Sequence, residues 1–215
     1  MKKPGRPQLI AIVGPNGSGK SSSVAEIFCL EDTGVPFINP DTVEKEAFSH
    51  IEDRIERSRA AQLKCSEMRD YFISNRESFG FETVGSHPSK YELLQKARKL
   101  GYEIVLVFTS TKCPEINIKR VKKRTAAGGH NISPDPNVER TKIVDRWHRT
   151  MYYLDDYIST AHRAFIFDNS YDGVNPKLLL RIEDGEKEVL PAACNVDWIN
   201  RYYLNRCHSL EKPTF

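Results

Sequence analysis

The nine residues Gly14-Pro15-Asn16-Gly17-Ser18-Gly19-Lys20-Ser21-Ser22 contain the spacing G-x-x-x-x-G-K-[ST]. Glycines so placed let the backbone curl until successive N–H groups point inward, a concavity that suits phosphate oxygens. A helix opening at Gly19 or Lys20 would add the partial positive charge of its N-terminus. Lys20 would reach the β- and γ-phosphates of a nucleoside triphosphate as a point charge, and the Ser21 hydroxyl would ligate magnesium. A glycine-rich turn can carry a lysine by accident. Here the motif directly follows the apolar run Leu9-Ile10-Ala11-Ile12-Val13 and opens a helical stretch, the context that gives it meaning. ATP and Mg2+ are therefore the expected cofactors. Hydrolysis and phosphoryl transfer both use such a loop, so other residues must discriminate.

Carboxylates beyond strand ends are the next candidates, because ligands of an open α/β sheet sit past the carboxyl ends of its strands. Asp41 follows the short strand Pro36-Phe37-Ile38 and could accept a proton from an attacking hydroxyl. It could equally cap the helical pattern TVEKEAF, and the two roles are compatible. Glu82 ends the strand Phe79–Thr83, where an acid orders magnesium, its water shell or an acceptor. Thr83 and Ser86 could bond phosphate or substrate, or simply stabilise their loop.

A basic run follows, NIKRVKKRT from Asn117 to Thr125. Arg120 and Arg124 share a helix face, Gly128-Gly129-His130 breaks the helix, and Arg140 lies in the next one. Arginines on a glycine-hinged lid would neutralise charge on a transferring phosphoryl group. Lys119, Lys122 and Lys123 read as a solvated face, while His130 suits a turn as well as a ligand contact. Asn169, in the loop Asp168-Asn169-Ser170, could touch a nucleotide base or close an Asx-turn.

Positioning these groups requires an α/β fold, a P-loop three-layer sandwich with a mainly parallel sheet. Short apolar runs alternate with amphipathic segments. The strands expected are Leu9–Val13, Pro36–Ile38, Phe79–Thr83, Tyr102–Thr109 and Ala164–Asp168. The helices expected are Ile51–Arg76, with Ala60, Leu63, Met68, Tyr71 and Phe72 as its apolar positions, Lys90–Leu100 closed by Gly101, Pro114 to about Ala127, and Ser133 to about His162. LLLRIEDGEKEVL reads as a C-terminal β-hairpin turning at Asp184-Gly185, followed by a short helix from Trp198 to Leu204 packed on the outside.

The chain of 215 residues suits one domain over 1–215, with a core of about 8–170 and the rest an appendage. A net charge of +3 suits a polyanionic ligand and argues against wrapping nucleic acid. No apolar run is long enough for a membrane span or a signal peptide. Five scattered cysteines, in no zinc or redox spacing, read as reduced thiols of a cytoplasmic protein.

In order, GPNGSGKSS, INPD, FETV, RVKKR-x-x-x-GGHNI with Arg140, and DNS resemble the zeta-toxin family of P-loop kinases over Leu9 to Ser170. FETV and GGH make the chain similar to zeta-like ATPases within it. The resemblance implies an enzyme that phosphorylates a hydroxyl of a small molecule; zeta toxins proper act on the 3′-hydroxyl of UDP-N-acetylglucosamine. It implies Lys20 and Ser21 at triphosphate and magnesium, Asp41 as general base and Glu82 as a substrate contact. Arg124 and Arg140 become lid arginines, with Arg120 the alternative. A small helical antitoxin protein is an implied partner. Zeta toxins proper carry Glu-Gly-Thr-Gly-Arg at the third strand's end. Here Val84 and Ser86 stand where the threonine and arginine would fall, which removes two groups that hold the sugar nucleotide.

Overall fold

The computed structural model describes residues 5–20, 34–129, 132–183 and 185–205. Ser21, Ser22, His130 and Asp184 lie outside them. The described strands are β1 (Gln8–Val13), β2 (Phe37–Ile38), β3 (Phe79–Thr83), β4 (Glu103–Ser110), β5 (Arg163–Asp168), β6 (Lys177–Glu183) and β7 (Glu186–Val189). They form one sheet in the order β2-β3-β1-β4-β5-β6-β7. The first five are parallel, while β6 and β7 add an antiparallel hairpin to the β5 edge.

Alternation along the central strands explains why both faces are covered. Leu9, Ala11 and Val13 of β1 enter the larger core with Ile104, Leu106 and Phe108 of β4. Ile10, Ile12, Val105, Val107, Phe165 and Phe167 form a second cluster on the opposite face. Full burial of such a side chain contributes roughly 1.5–3 kcal/mol, so these strands anchor whatever is mounted on their ends. The chain runs from β1 outward to β2, back to β3, and then across to β4 on the other side of β1. That reversal opens the crevice beyond β1 in which such sheets bind ligands.

The described helices are α1 (Pro40–Ala47), α2 (Arg54–Asn75), α3 (Ser89–Lys99), α4 (Pro114–Ala126), α5 (Pro136–Tyr152), α6 (Leu154–Thr160) and α7 (Asp197–Ile199). Three sequence expectations need correction. In α2 the buried residues are Ala61, Cys65 and Ile73, whereas Leu63 and Tyr71 face solvent. Met68 and Phe72 pack against the core as expected, but apolar residues are scattered around that helix, so periodicity missed its most buried line. The helix expected from Ser133 to His162 breaks at Tyr153, whose buried ring turns the chain so that Leu154, Tyr157 and Ile158 enter the core. The final helix does not lie outside. Trp198, Ile199 and Tyr202 belong to the larger core, and Trp198 Nε1 donates to Asp168 Oδ1 at 2.8 Å.

Candidate active site

The phosphate loop is built by close backbone approaches. A Cβ on Gly14 would stand 2.1 Å from the Thr109 carbonyl oxygen of β4, so only glycine fits. Gly17 has φ +77°, and a Cβ there would come 2.7 Å from the Asn117 carbonyl oxygen. Gly14 N donates to Thr83 O at 3.2 Å, tying the loop to the end of β3. This glycine-built curl is the shape that a triphosphate requires.

Lys20 is buried at its centre, with Nζ donating to Pro15 O at 2.9 Å and standing 4.0 Å from Glu82 Oε1. Burial pushes the Lys20 ammonium below its usual pKa; Glu82 and Asp41 oppose that shift and Arg124 adds to it. Three residues singled out in the sequence, Glu82, Asp41 and Arg124, thus act electrostatically on Lys20. Asp41 is not the helix cap. Asn39 caps α1, its Oδ1 accepting from Asp41 N at 2.8 Å, and the Asp41 carboxylate stays exposed at the start of the helix. Glu82 and Asp41 offer hard carboxylate oxygens beside Lys20, a donor chemistry that fits magnesium. Ser21, the expected hydroxyl ligand, lies outside the described residues, as does Ser22.

Two clefts flank this centre. One, of about 580 Å³, is lined by Glu82, Thr83, Ser86, Arg69, Lys90 and Arg146 among others. The other, of about 340 Å³, is lined by Gly19, Arg120, Asn169, Tyr171 and Asp172 among others. Thr83 Oγ1 accepts from Gly85 N at 3.3 Å, and Val84 O accepts from Thr150 Oγ1 at 2.9 Å. The loop after β3 is therefore held from within and from α5.

A model of the Zeta toxin family matches residues 1–170. The chain belongs to the Zeta toxin family. The AvrRxo1-ORF1:-ORF2 complex is similar in structure, with a TM-score of 0.67 at 16% identity over 93% of this chain and 65% of that one. The same complex with ATP gives 0.67 at 17% identity over 88% and 62%. The PezAT chromosomal toxin–antitoxin system of Streptococcus pneumoniae gives 0.61 at 17% identity, covering 98% of this chain and 84% of that one. The chain thus spans just under two thirds of the AvrRxo1-complex chains it matches. At these identities the likeness is one of fold. No curated protein matches the sequence.

Within this zeta-toxin fold the arginines divide differently from the sequence reading. Arg120 faces the smaller cleft: Nη1 donates to Asn169 O at 2.8 Å, and Nη2 stands 2.7 Å from Asp172 Oδ1. Arg124, one turn on, is the one that acts on Lys20. Arg140 is exposed on α5, and among the described residues it makes no hydrogen bond or ion pair to the loop. Six residues further, roughly 240° around the helix, Arg146 Nη1 donates to Asn16 Oδ1 at 3.2 Å. Asn169 lines the smaller cleft and braces the loop, its Nδ2 donating to Ser18 O at 2.8 Å.

Asn117 was also missed. Its fully buried side chain donates from Nδ2 to Asn16 O at 2.6 Å and accepts from the Thr111 hydroxyl. Its place in a basic run hid it; the only sequence signal was an uncharged polar residue one position before an apolar one. Lys119, Lys122 and Lys123 are exposed, as a solvated face requires.

Proposed function

We propose that this chain is an ATP-dependent phosphotransferase of zeta-toxin type, moving the γ-phosphoryl group to a hydroxyl of a small molecule bound in the 580 Å³ cleft. The observation that carries this reading is the grouping of Lys20, Glu82, Asp41 and Arg124. Asp41, exposed at the start of α1 and acting on Lys20, is the carboxylate available as the base a kinase needs.

The loop amides and Lys20 hold the β- and γ-phosphates of ATP as substrate. Asp41 takes the proton of the acceptor hydroxyl as its oxygen bonds to the γ-phosphorus. The bond from that phosphorus to the β–γ bridging oxygen breaks, and ADP leaves with the electron pair. Glu82 positions the acceptor and offsets the Lys20 charge. Arg124 and Arg146 stabilise the negative charge spread over the transferring group. Ser21 would hold magnesium, with Glu82 ordering its water shell, and the ion would supply charge neutralisation at the phosphates.

FETV and GGH support placement among the zeta-like ATPases of the family, acting in the cytoplasm. PezAT is a toxin–antitoxin system, which motivates a small antitoxin protein as the partner here. Among the described residues no helix is long and apolar enough to cross a membrane.

UDP-N-acetylglucosamine is the first acceptor to assay, within a panel of nucleotide sugars and sugar phosphates. With ATP and Mg2+, mass spectrometry should detect a product one phosphoryl group heavier, lost in Lys20→Ala. ATP hydrolysis with no phosphorylated product, at a rate indifferent to Asp41→Asn, would make the chain a nucleotide-binding regulatory module instead.

A further inference from the structure

Asp168, at the carboxyl end of β5, is a buried acid that the phosphoryl-transfer chemistry does not use. Among the described residues it makes no ion pair. Its Oδ1 accepts from Ser170 Oγ at 2.6 Å and from Trp198 Nε1 at 2.8 Å. Burying a carboxylate costs free energy unless donors meet it, so these two donors are held where the carboxylate is. Trp198 is itself almost wholly buried, on α7, in the part of the chain that follows the residues matched by the family model.

The two residues after Asp168 are buried as well, and each is committed to the nucleotide side. Asn169 Nδ2 donates to Ser18 O of the phosphate loop at 2.8 Å, and Asn169 N donates to Ser110 O at the end of β4. Ser170 Oγ, while donating to Asp168, accepts from Lys112 N at 2.8 Å. Lys112 leads into α4, whose Asn117 holds Asn16 O and whose Arg120 donates to Asn169 O. Two routes therefore run from Asp168 to the phosphate loop, one through Asn169 and one through Ser170 and α4. Both begin at a carboxylate held by a tryptophan of the C-terminal segment. A chain of satisfied buried hydrogen bonds fixes one arrangement, because breaking a link strands a polar group.

We propose that Trp198 and Asp168 are positioning residues of the nucleotide site. Through their hydrogen bond α7 sets the loop 168–170, and that loop holds the phosphate loop at Ser18 in the shape that accepts Mg2+·ADP or Mg2+·ATP. Both act through Asn169 and Ser170 and not on the nucleotide itself. The C-terminal segment thereby belongs to the nucleotide-binding unit as well as to the core. Nothing in this requires an acceptor, so it goes beyond the phosphotransferase reading and stands or falls apart from it.

The test is isothermal titration of Mg2+·ADP into the full chain, with a cooperative thermal melt of each variant to show that it is folded. Trp198→Phe keeps an aromatic ring in the core and removes the donor to Asp168. It should weaken ADP binding about 3- to 10-fold, and Asp168→Ala should weaken it at least as much. Asp168→Asn keeps an oxygen for both donors and should stay within about twofold of the wild type. Tyr202→Phe is the control, because it removes a hydrogen bond of the same buried segment that leads away from Asp168, the one between Tyr202 Oη and His148 Nδ1 at 3.3 Å. It should leave ADP affinity unchanged. Folded Trp198→Phe and Asp168→Ala proteins with wild-type affinity overturn the proposal. So does a loss in Tyr202→Phe as large as that in Trp198→Phe, which would mark a general loosening of the core. Should Asp168→Ala not fold, Trp198→Phe against Tyr202→Phe decides alone. The expected pattern in a chain that phosphorylates nothing keeps the positioning role and removes the enzyme. Phosphoryl transfer with an ADP affinity indifferent to Trp198→Phe keeps the enzyme and removes the positioning role.

Discussion

Replacing Asn117 with alanine isolates the support that α4 gives the phosphate loop. The wild-type amide donates to Asn16 O at 2.6 Å and accepts from Thr111, with no solvent access. In the variant Thr111 still has an acceptor, the Cys113 carbonyl at 3.1 Å, so the uncompensated loss is the half-buried Asn16 carbonyl. Leaving such a group unsatisfied costs up to about 1–3 kcal/mol, the upper end applying where water is shut out. The close backbone contact between Asn117 and Gly17 is untouched, so the loop keeps its path but loses a brace. If the full cost falls on loop order, affinity for Mg2+·ADP drops roughly 5- to 150-fold. If it falls on global stability, the melting temperature drops by about 2–12 °C for a chain of this size. Isothermal titration with ADP and a thermal melt of the same sample divide the two. A folded Asn117→Ala protein with ADP affinity and melting temperature both within error of the wild type would refute the reasoning.

Three further outcomes are expected. Lys20 is buried with its pKa lowered, so the unfolded chain binds more protons between that lowered value and 10.5, and stability rises with pH through this window. The rise should be missing from Lys20→Met and so stand out in the difference between wild type and variant, measured as melting temperature from pH 7 to 10.5. In the nucleotide-free state at pH 7, Lys20→Met should melt higher than the wild type while losing ADP binding. Arg146→Gln should lower the transfer rate about 10- to 100-fold while Arg140→Gln stays within about twofold of wild type, because among the described residues Arg146 of the two is the one bonded to the loop. Trp198→Ala should cost about 3–5 kcal/mol in a denaturant melt, since a fully buried ring and its bond to Asp168 are both lost; a change near zero would return the C-terminal segment to the surface.

The sequence disclosed most where local and global demands coincide. Leu9–Val13, Phe79–Thr83 and the run from Tyr102 read as strands because residues buried on both faces leave nothing polar to confuse the period. Gly14 and Gly17 were readable because no other residue survives the backbone contacts they make. Elsewhere tertiary packing decided. The turn at Tyr153 carries no glycine or proline; it exists because a buried tyrosine redirects α6 into the core. Leu63 and Tyr71 are as apolar as Met68 and Phe72, and only the direction of α2 across the sheet separates them. In the site, Lys20, Glu82, Asp41 and Arg124 were legible from motif and strand end. Arg146 and Asn117 were not, since their partner is a single loop residue, Asn16, more than 100 positions away in the chain.

The account turns on Asp41 as the base that deprotonates the acceptor. The decisive measurement is the single-turnover rate of phosphoryl transfer from γ-labelled ATP to the acceptor that the panel above identifies, wild type against Asp41→Asn, with ADP affinity measured alongside. The prediction is a loss of about 100-fold or more in rate, in line with removal of a general base, with ADP affinity unchanged. Transfer by Asp41→Asn at the wild-type rate would contradict it.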